Sequence, residues 1–216
     1  MKLKPKAELK AELKASQRSK QALALSSTFL IIGLGNPGPK YAETRHNAGF
    51  WFLDEVLRSQ GLSLKAQSRI KAETVRAELH GQDCILARPV RYMNESGVAV
   101  RAIMDYYKIS AGNMLVAYDE LDLPPGVVRL KQGGGHGGHN GLRDIFRHVE
   151  DKGFFRMRIG IGHPGHKSAV TRYVLGRSPK QVRAVIDRAL EKAVSVLPQV
   201  LSGHSQDAMT VLHTDA

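Results

Sequence analysis

The segment Phe29-Leu-Ile-Ile-Gly-Leu-Gly-Asn-Pro-Gly38, continued by Tyr41-Ala-Glu-Thr-Arg-His-Asn-Ala-Gly49, decides how this chain is read. An apolar run ends in a glycine turn that presents Asn36, and the chain then returns Arg45, His46 and Asn47 toward the same edge. Polar groups placed just beyond a strand are how a sheet-based enzyme displays reactive side chains. The glycines also satisfy G-x-G-x-x-G, with Asp54 near the position of a ribose-binding acid in a dinucleotide fold. Pro37 and Pro39 argue against that use. Each biases the residue before it away from helix, whereas a dinucleotide loop needs a helix that opens inside the glycines with its free N–H groups toward a pyrophosphate. The helix must begin later, with Asn47 as its cap and Phe50, Leu53 and Leu57 recurring at helical spacing.

Working outward, apolar runs alternate with helical patterns, which predicts layered α/β architecture. Strands are expected over 29–34, 74–79, 83–89, 114–119, 127–131 and 157–162, and helices over 47–59, 96–107, 141–149 and 180–197. The second and third strands are separated only by His80-Gly81-Gln82 and form a hairpin, so the sheet is expected to be mixed. The fold expected is one α/β domain over 28–216: a twisted mixed sheet with helices on both faces, a three-layer α/β/α arrangement.

The chain has 216 residues and 42% hydrophobic content, enough for one good core. Residues 1–27 carry seven basic side chains against two acidic ones and read as a basic, flexible, partly helical extension with no catalytic role. No apolar run approaches the roughly 20 residues that cross a bilayer, and no signal segment is evident, so a cytoplasmic protein is expected. The single cysteine, Cys84, lies in a strand and reads as a small buried hydrophobe. A formal charge of +12 and a pI near 10.0 point to a polyanionic partner, with nucleic acid first.

Four polar clusters follow apolar runs: Asn36 with His46; Tyr92-Met93-Asn94; Asp119 at the end of Met114-Leu-Val-Ala-Tyr-Asp; and the glycine loop Gly133-Gly-Gly-His-Gly-Gly-His-Asn-Gly141. Residues that follow strands converge at the carboxyl edge of an open α/β sheet. His46 and Asp119 supply a base and its orienter. No Gly-x-Ser-x-Gly elbow is present and Cys84 lies inside a strand, so water is the expected nucleophile. His136 and His139 stand in the glycine loop without an accompanying carboxylate or cysteine pattern, so no metal is expected. Asn36, Asn94 and Asn140 have amides suited to a peptide or ester carbonyl, and one of them suits an oxyanion. Arg129, Lys131, Arg143, Arg147, Arg156 and Arg158 surround the glycine loop and read as a basic groove for phosphates. His80, His148, His204 and His213 read as surface residues, and His163 as part of a structural turn.

Taken together, these segments resemble bacterial peptidyl-tRNA hydrolase. The motifs that carry the resemblance are the glycine turn ending at Gly38, Tyr41 with Thr44-Arg-His-Asn-Ala-Gly49, Tyr92-Met-Asn-Glu-Ser-Gly97, Asp119-Glu-Leu-Asp-Leu-Pro-Pro-Gly126, Gly133 to Gly141 and Arg158-Ile-Gly-Ile-Gly-His-Pro-Gly165. The resemblance implies an esterase that cuts the bond between a peptide and the 3′ ribose of tRNA, so its partner is peptidyl-tRNA, held through the acceptor stem and 3′ end. It implies His46 as the base that activates water and Asp119 as its orienter. Asn36 and Asn94 match residues that hold the peptide and stabilise the reacting carbonyl, and Asn140 one that binds substrate and positions water. Tyr41 matches a residue near the tRNA end, Met93 one lining the peptide channel, and Lys131 and Arg158 a clamp on the tRNA 5′ phosphate. No metal or organic cofactor is implied, and the family is usually monomeric. Two features depart from the pattern: Arg91, where a threonine is usual, and the extension of residues 1–27. The alternative is a non-enzymatic RNA-binding relative of the kind that serves in chloroplast intron splicing. A nucleotide-dependent oxidoreductase rests only on the opening glycines.

Overall fold

The computed structural model describes residues 28–214, so the extension lies outside the described residues. Seven strands form one sheet: β1 (Phe29–Gly33), β2 (Lys65–Gln67), β3 (Ala72–Leu79), β4 (Gln82–Pro89), β5 (Met114–Glu120), β6 (Val128–Gln132) and β7 (Phe155–Gly160), in the order β2-β3-β4-β1-β5-β7-β6. The four central strands run parallel, whereas β2 and β3 at one edge and β6 at the other are antiparallel to their neighbours. The mixed sheet is as the hairpin predicted. Its turn is two residues long, and His80 and Gly81 both have positive φ, which matches the right-handed twist of the paired strands.

β1 is central and every residue in it is buried. Its side chains alternate between two cores. Phe29 and Ile31 pack beneath α1 (Ala48–Gln60) and, further along the sheet, α5 (Lys180–Ser195), α6 (Leu197–Leu201) and α7 (Ser205–His213). Leu30 and Ile32 face the opposite side, with α2 (Ser96–Tyr107) and α3 (Asn140–His148). A strand buried on both faces has no reason to alternate polar and apolar residues, which is why its sequence is one continuous apolar run. The result is the expected three-layer α/β/α domain.

The four long predicted helices and six predicted strands are all present, with ends shifted by one or two residues at most places; the last helix stops at Ser195 and a separate α6 follows. The short strand β2, the five-residue α4 (Val170–Val174) and α7 went unpredicted. β2 is a three-residue edge strand and α4 a single turn and a half, too short for either periodicity to register. The helix after the opening glycines starts at Ala48, as Pro37 and Pro39 required.

α1 lies close against the sheet because Gly49 has no side chain. A Cβ there would stand 2.2 Å from the carbonyl oxygen of Ala117 and 2.6 Å from the backbone nitrogen of Leu34. This close approach carries His46, just before the helix, onto the carboxyl end of β5.

Candidate active site

The sheet changes winding direction at β1. The helix after β1 covers one face and the helix after β4 the other, so a crevice opens beyond the carboxyl ends of these central strands. The cleft there has a volume of about 430 Å³. Its lining includes Asn36 from the β1 turn, Met93 and Asn94 after β4, Asp119 at the end of β5, and His139 and Asn140 at the start of α3. Tyr41, His46 and the α4 residues Val170, Thr171 and Val174 also line it. Seven of the nine expected site residues are therefore gathered in one place; Lys131 and Arg158 are not among them.

His46 and Asp119 are both buried, and the His46 Nδ1 stands 2.8 Å and 3.0 Å from the two carboxylate oxygens. Nδ1 carries the proton that it donates to Asp119, which leaves Nε2 unprotonated on the cleft side. Burial opposes charging the imidazole, but the attraction and hydrogen bond of Asp119 outweigh it, and the net shift of the His46 pKa is upward. Burial alone would raise the pKa of Asp119; the two neighbouring imidazoles reverse this and hold the carboxyl well below the usual range.

The second imidazole belongs to His139. Its Nε2 lies 2.9 Å from Asp119 Oδ1, and its Nδ1 accepts the Leu142 backbone N–H as the cap of α3. Because Nδ1 accepts, the proton must sit on Nε2, and His139 is a second donor to Asp119. The expectation that His139 lacked a carboxylate is corrected here: Asp119 lies 20 residues away in sequence and no local pattern links them. The donor atoms of His46, Asp119 and His139 lie within 4.8 Å of one another, close enough for a shared cation. The hydrogen bonds oppose that use. A metal on His139 Nε2 would leave both ring nitrogens acting as acceptors, which demands an imidazolate.

Asn47 does not cap α1 with its side chain. It sits in a short 3₁₀ turn, and its amide instead brackets Asn36: Oδ1 accepts the Asn36 N–H at 2.8 Å, and Nδ2 donates to the Asn36 carbonyl at 3.0 Å. Asn36 is fixed from the other side too, its Oδ1 accepting the Met93 N–H at 2.8 Å. The Asn36 amide nitrogen is thereby turned away from Met93 and has no acceptor among the described residues, so it is available as a donor. Asn140 is oriented in the same manner by Arg143, whose Nη1 donates to Asn140 Oδ1 at 2.9 Å. Asn94 is exposed and has no hydrogen-bond partner among the described residues. Thus two of the three asparagines present pre-aimed N–H groups, and the third is free to adapt.

The walls are tied to the same elements. Arg45 stacks its guanidinium 4.1 Å from the Tyr173 ring centroid and donates to the Tyr173 and Gly176 carbonyls, holding α4 against the turn that bears His46. Tyr41 and the exposed Tyr92 meet edge to face at the rim, 6.1 Å between centroids. Met93 is buried, as befits a residue that both lines the cleft and anchors Asn36.

Lys131 and Arg158 line a separate recess at the β6 edge, with Arg129 and the α7 residues Gln206, Met209 and His213. Arg158 is oriented by Glu120, with Nε to Oε2 at 2.9 Å. Burial, then Arg129 and Arg158, push the pKa of His213 down, a sign of positive potential in the recess. Arg156 does not join this groove, contrary to the sequence reading; it is buried under the glycine loop. His213 is exposed, as the sequence reading had it, whereas His148 is half-buried and bonds the Asp144 carbonyl.

Sequence reasoning gave Asn47 a helix cap and Arg143 a place in the basic groove, and it gave His139 and Arg45 no role in the site. For His139 a signal was present, its place at the end of the glycine loop directly before a predicted helix. Among the described residues, no helix is long and apolar enough to cross a membrane.

The family model for peptidyl-tRNA hydrolase matches residues 30–216. The peptidyl-tRNA hydrolase of Shewanella loihica is 48% identical over 191 residues, covering 88% of this chain and 98% of that protein. The one from Acidithiobacillus ferrooxidans is 49% identical over 187 residues, covering 87% and 99%. A crystal structure of peptidyl-tRNA hydrolase from Acinetobacter baumannii superposes with a TM-score of 0.84 at 45% identity, covering 87% of this chain and 95% of that one. With the fold, the length and close to half of the aligned residues shared, this chain belongs to the peptidyl-tRNA hydrolase family.

Proposed function

We propose that this chain hydrolyses the ester joining the peptide to the 3′ ribose of peptidyl-tRNA, with His46 as general base toward water. The observation that carries the mechanism is the buried His46–Asp119 pair with its unprotonated Nε2 facing the cleft. In the proposed step, Nε2 takes a proton from water as the oxygen attacks the ester carbonyl, and Asp119 stabilises the imidazolium formed. The Asn36 N–H group meets the charge that develops on the carbonyl oxygen. Asn94 grips the peptide backbone, and Asn140 positions the water. The imidazolium then returns its proton to the departing 3′ oxygen, leaving free peptide and tRNA. Peptides differ in side chains but share backbone amides, so asparagines at the cleft suit a substrate class with variable residues.

Tyr41 at the rim is assigned to the tRNA 3′ end, Met93 to the peptide channel, and Lys131 with Arg158 to the 5′ phosphate, where cations set affinity and leave sequence unread. The reading includes a monomer acting in the cytoplasm without a metal or organic cofactor, and a catalytic unit of residues 28–216 that is distinct from the extension 1–27. The test is turnover of N-acyl-aminoacyl-tRNA compared with free-amine aminoacyl-tRNA. The acylated substrate should be cleaved and the free-amine form largely spared; no turnover of the former would favour the non-enzymatic RNA-binding alternative.

A further inference from the structure

We propose that Arg156 is a positioning residue: it fastens the glycine loop to the sheet so that His139 meets Asp119 and Asn140 faces the cleft. The role rests on the hydrolase reading above and adds to it a residue that touches no substrate.

Arg156 is one of the largest fully buried side chains and is the second residue of β7. A buried guanidinium ordinarily has a carboxylate partner, because removing a charge from water is costly without one. Arg156 has none among the described residues. Its terminal nitrogens donate instead to the carbonyls of Gly135 and Gly134, the latter at 2.5 Å, and its Nε has no partner. The guanidinium also lies 4.9 Å and 5.3 Å from the ring centroids of Phe154 and Phe146. The groups facing it are the Tyr118 hydroxyl from β5, Arg158 two positions along β7 and, across Gly134, Lys131 from β6. Tyr118 supports the charge through its hydroxyl, no carboxylate does so among the described residues, and the two bonds from the terminal nitrogens hold an exposed loop.

That loop needs holding. Five of its glycines, at 133, 134, 137 and 138 with positive φ and at 135, give it few side-chain contacts of its own, and glycine carries the largest conformational entropy. At its far end are His139 and Asn140. Gly134 leaves little room for a side chain: a Cβ there would meet Lys131 Nζ at 3.0 Å and Arg156 Nη1 at 3.8 Å. The same strand pair therefore carries one side chain toward the phosphate recess and another into the anchor of the catalytic loop, Lys131 and Arg156 being register partners. Tyr118 continues the link, its ring 5.0 Å from that of His139.

If the anchor is released, His139 loses its fixed donation to Asp119 and Asn140 its aim, while His46 keeps its own bonds to Asp119. The test uses the full chain as wild type, Arg156→Lys and Gly134→Ala. The second variant strains the loop at φ +100° without disturbing the core, and so stands in if the buried substitution fails to fold. Steady-state turnover of N-acetyl-aminoacyl-tRNA and the imidazole N–H resonances are measured together. In the variants kcat should fall by between about 10- and 100-fold, with KM within about threefold. The Nε2–H signal of His139 should be lost to solvent exchange while the Nδ1–H signal of His46 persists. Adding His139→Ala to Arg156→Lys should cost less than the product of the single losses. Wild-type kcat with an intact His139 signal in either folded variant overturns the proposal, and so does a loss confined to KM. Wild-type protein without turnover would sink the hydrolase reading alone, because the His139 signal still reports whether Arg156 holds the loop.

Discussion

His46 has one ring nitrogen committed to Asp119 and the other free in the cleft, an asymmetry that suits it to the proposed role of base. Replacing it with alanine should lower kcat by roughly 10²–10⁴; a near wild-type rate in a single-turnover assay would place the base elsewhere. The same pair sets the pH response. The His46 pKa is raised above 6.5 because Asp119 outweighs burial. The neutral form that the proposed base needs is therefore lost as pH falls through that raised value, and the acid limb of kcat/KM should lie above 6.5. Asp119→Asn removes the charge that raises it. Its limb should move to lower pH while the rate drops by roughly 10²–10⁴, since an amide also fails to enforce the Nδ1–H tautomer. A pH–rate profile of the two proteins checks both statements.

At the level of elements, two close approaches define the site. One is Gly49 against β5; the other joins α2 to α3, where the buried Asp144 carboxylate accepts the Gly97 N–H at 2.8 Å and so satisfies the buried first turn of α2 from a different helix. Asp144→Ala should cost about 1–3 kcal/mol, the desolvation penalty of an orphaned buried N–H, measured as a shift in urea midpoint with an unchanged slope. The antiparallel β6–β7 pair has a different task. Arg129, Lys131 and Arg158 line its recess, and neither Lys131→Ala nor Arg158→Ala touches the cleft. Each should weaken tRNA binding and reduce the slope of log affinity against log salt by roughly one, with kcat preserved. An unchanged slope would remove that residue from the phosphate contact.

Over the whole molecule, the buried pair links stability to pH. Asp119, held low, stabilises the fold above its ordinary value of 3.8, a contribution lost as pH falls toward its folded value. His46, held high, stabilises the fold fully below 6.5 and loses that contribution as pH rises through its folded value. The stability difference between wild type and Asp119→Asn should therefore be largest between about 3.8 and 6.5 and shrink above it. Denaturant titrations at several pH values test this, and a difference that grows steadily toward alkaline pH would contradict it.

The sequence by itself determined the α/β class, the mixed sheet, the delayed start of α1 and the gathering of Asn36, His46, Asn94, Asp119 and Asn140 at one edge. Periodicity, proline geometry and the habit of polar groups to follow strands are local properties, and each is written in a few consecutive residues. Only the tertiary structure decided that His139 shares Asp119, that Asn47 braces Asn36 instead of capping its helix, and that Arg156 leaves the basic groove for the underside of the glycine loop. Those outcomes depend on strand register and on which loops meet. An asparagine, a histidine or an arginine has the same pattern in sequence whether its hydrogen bonds go to solvent or to a partner on another strand.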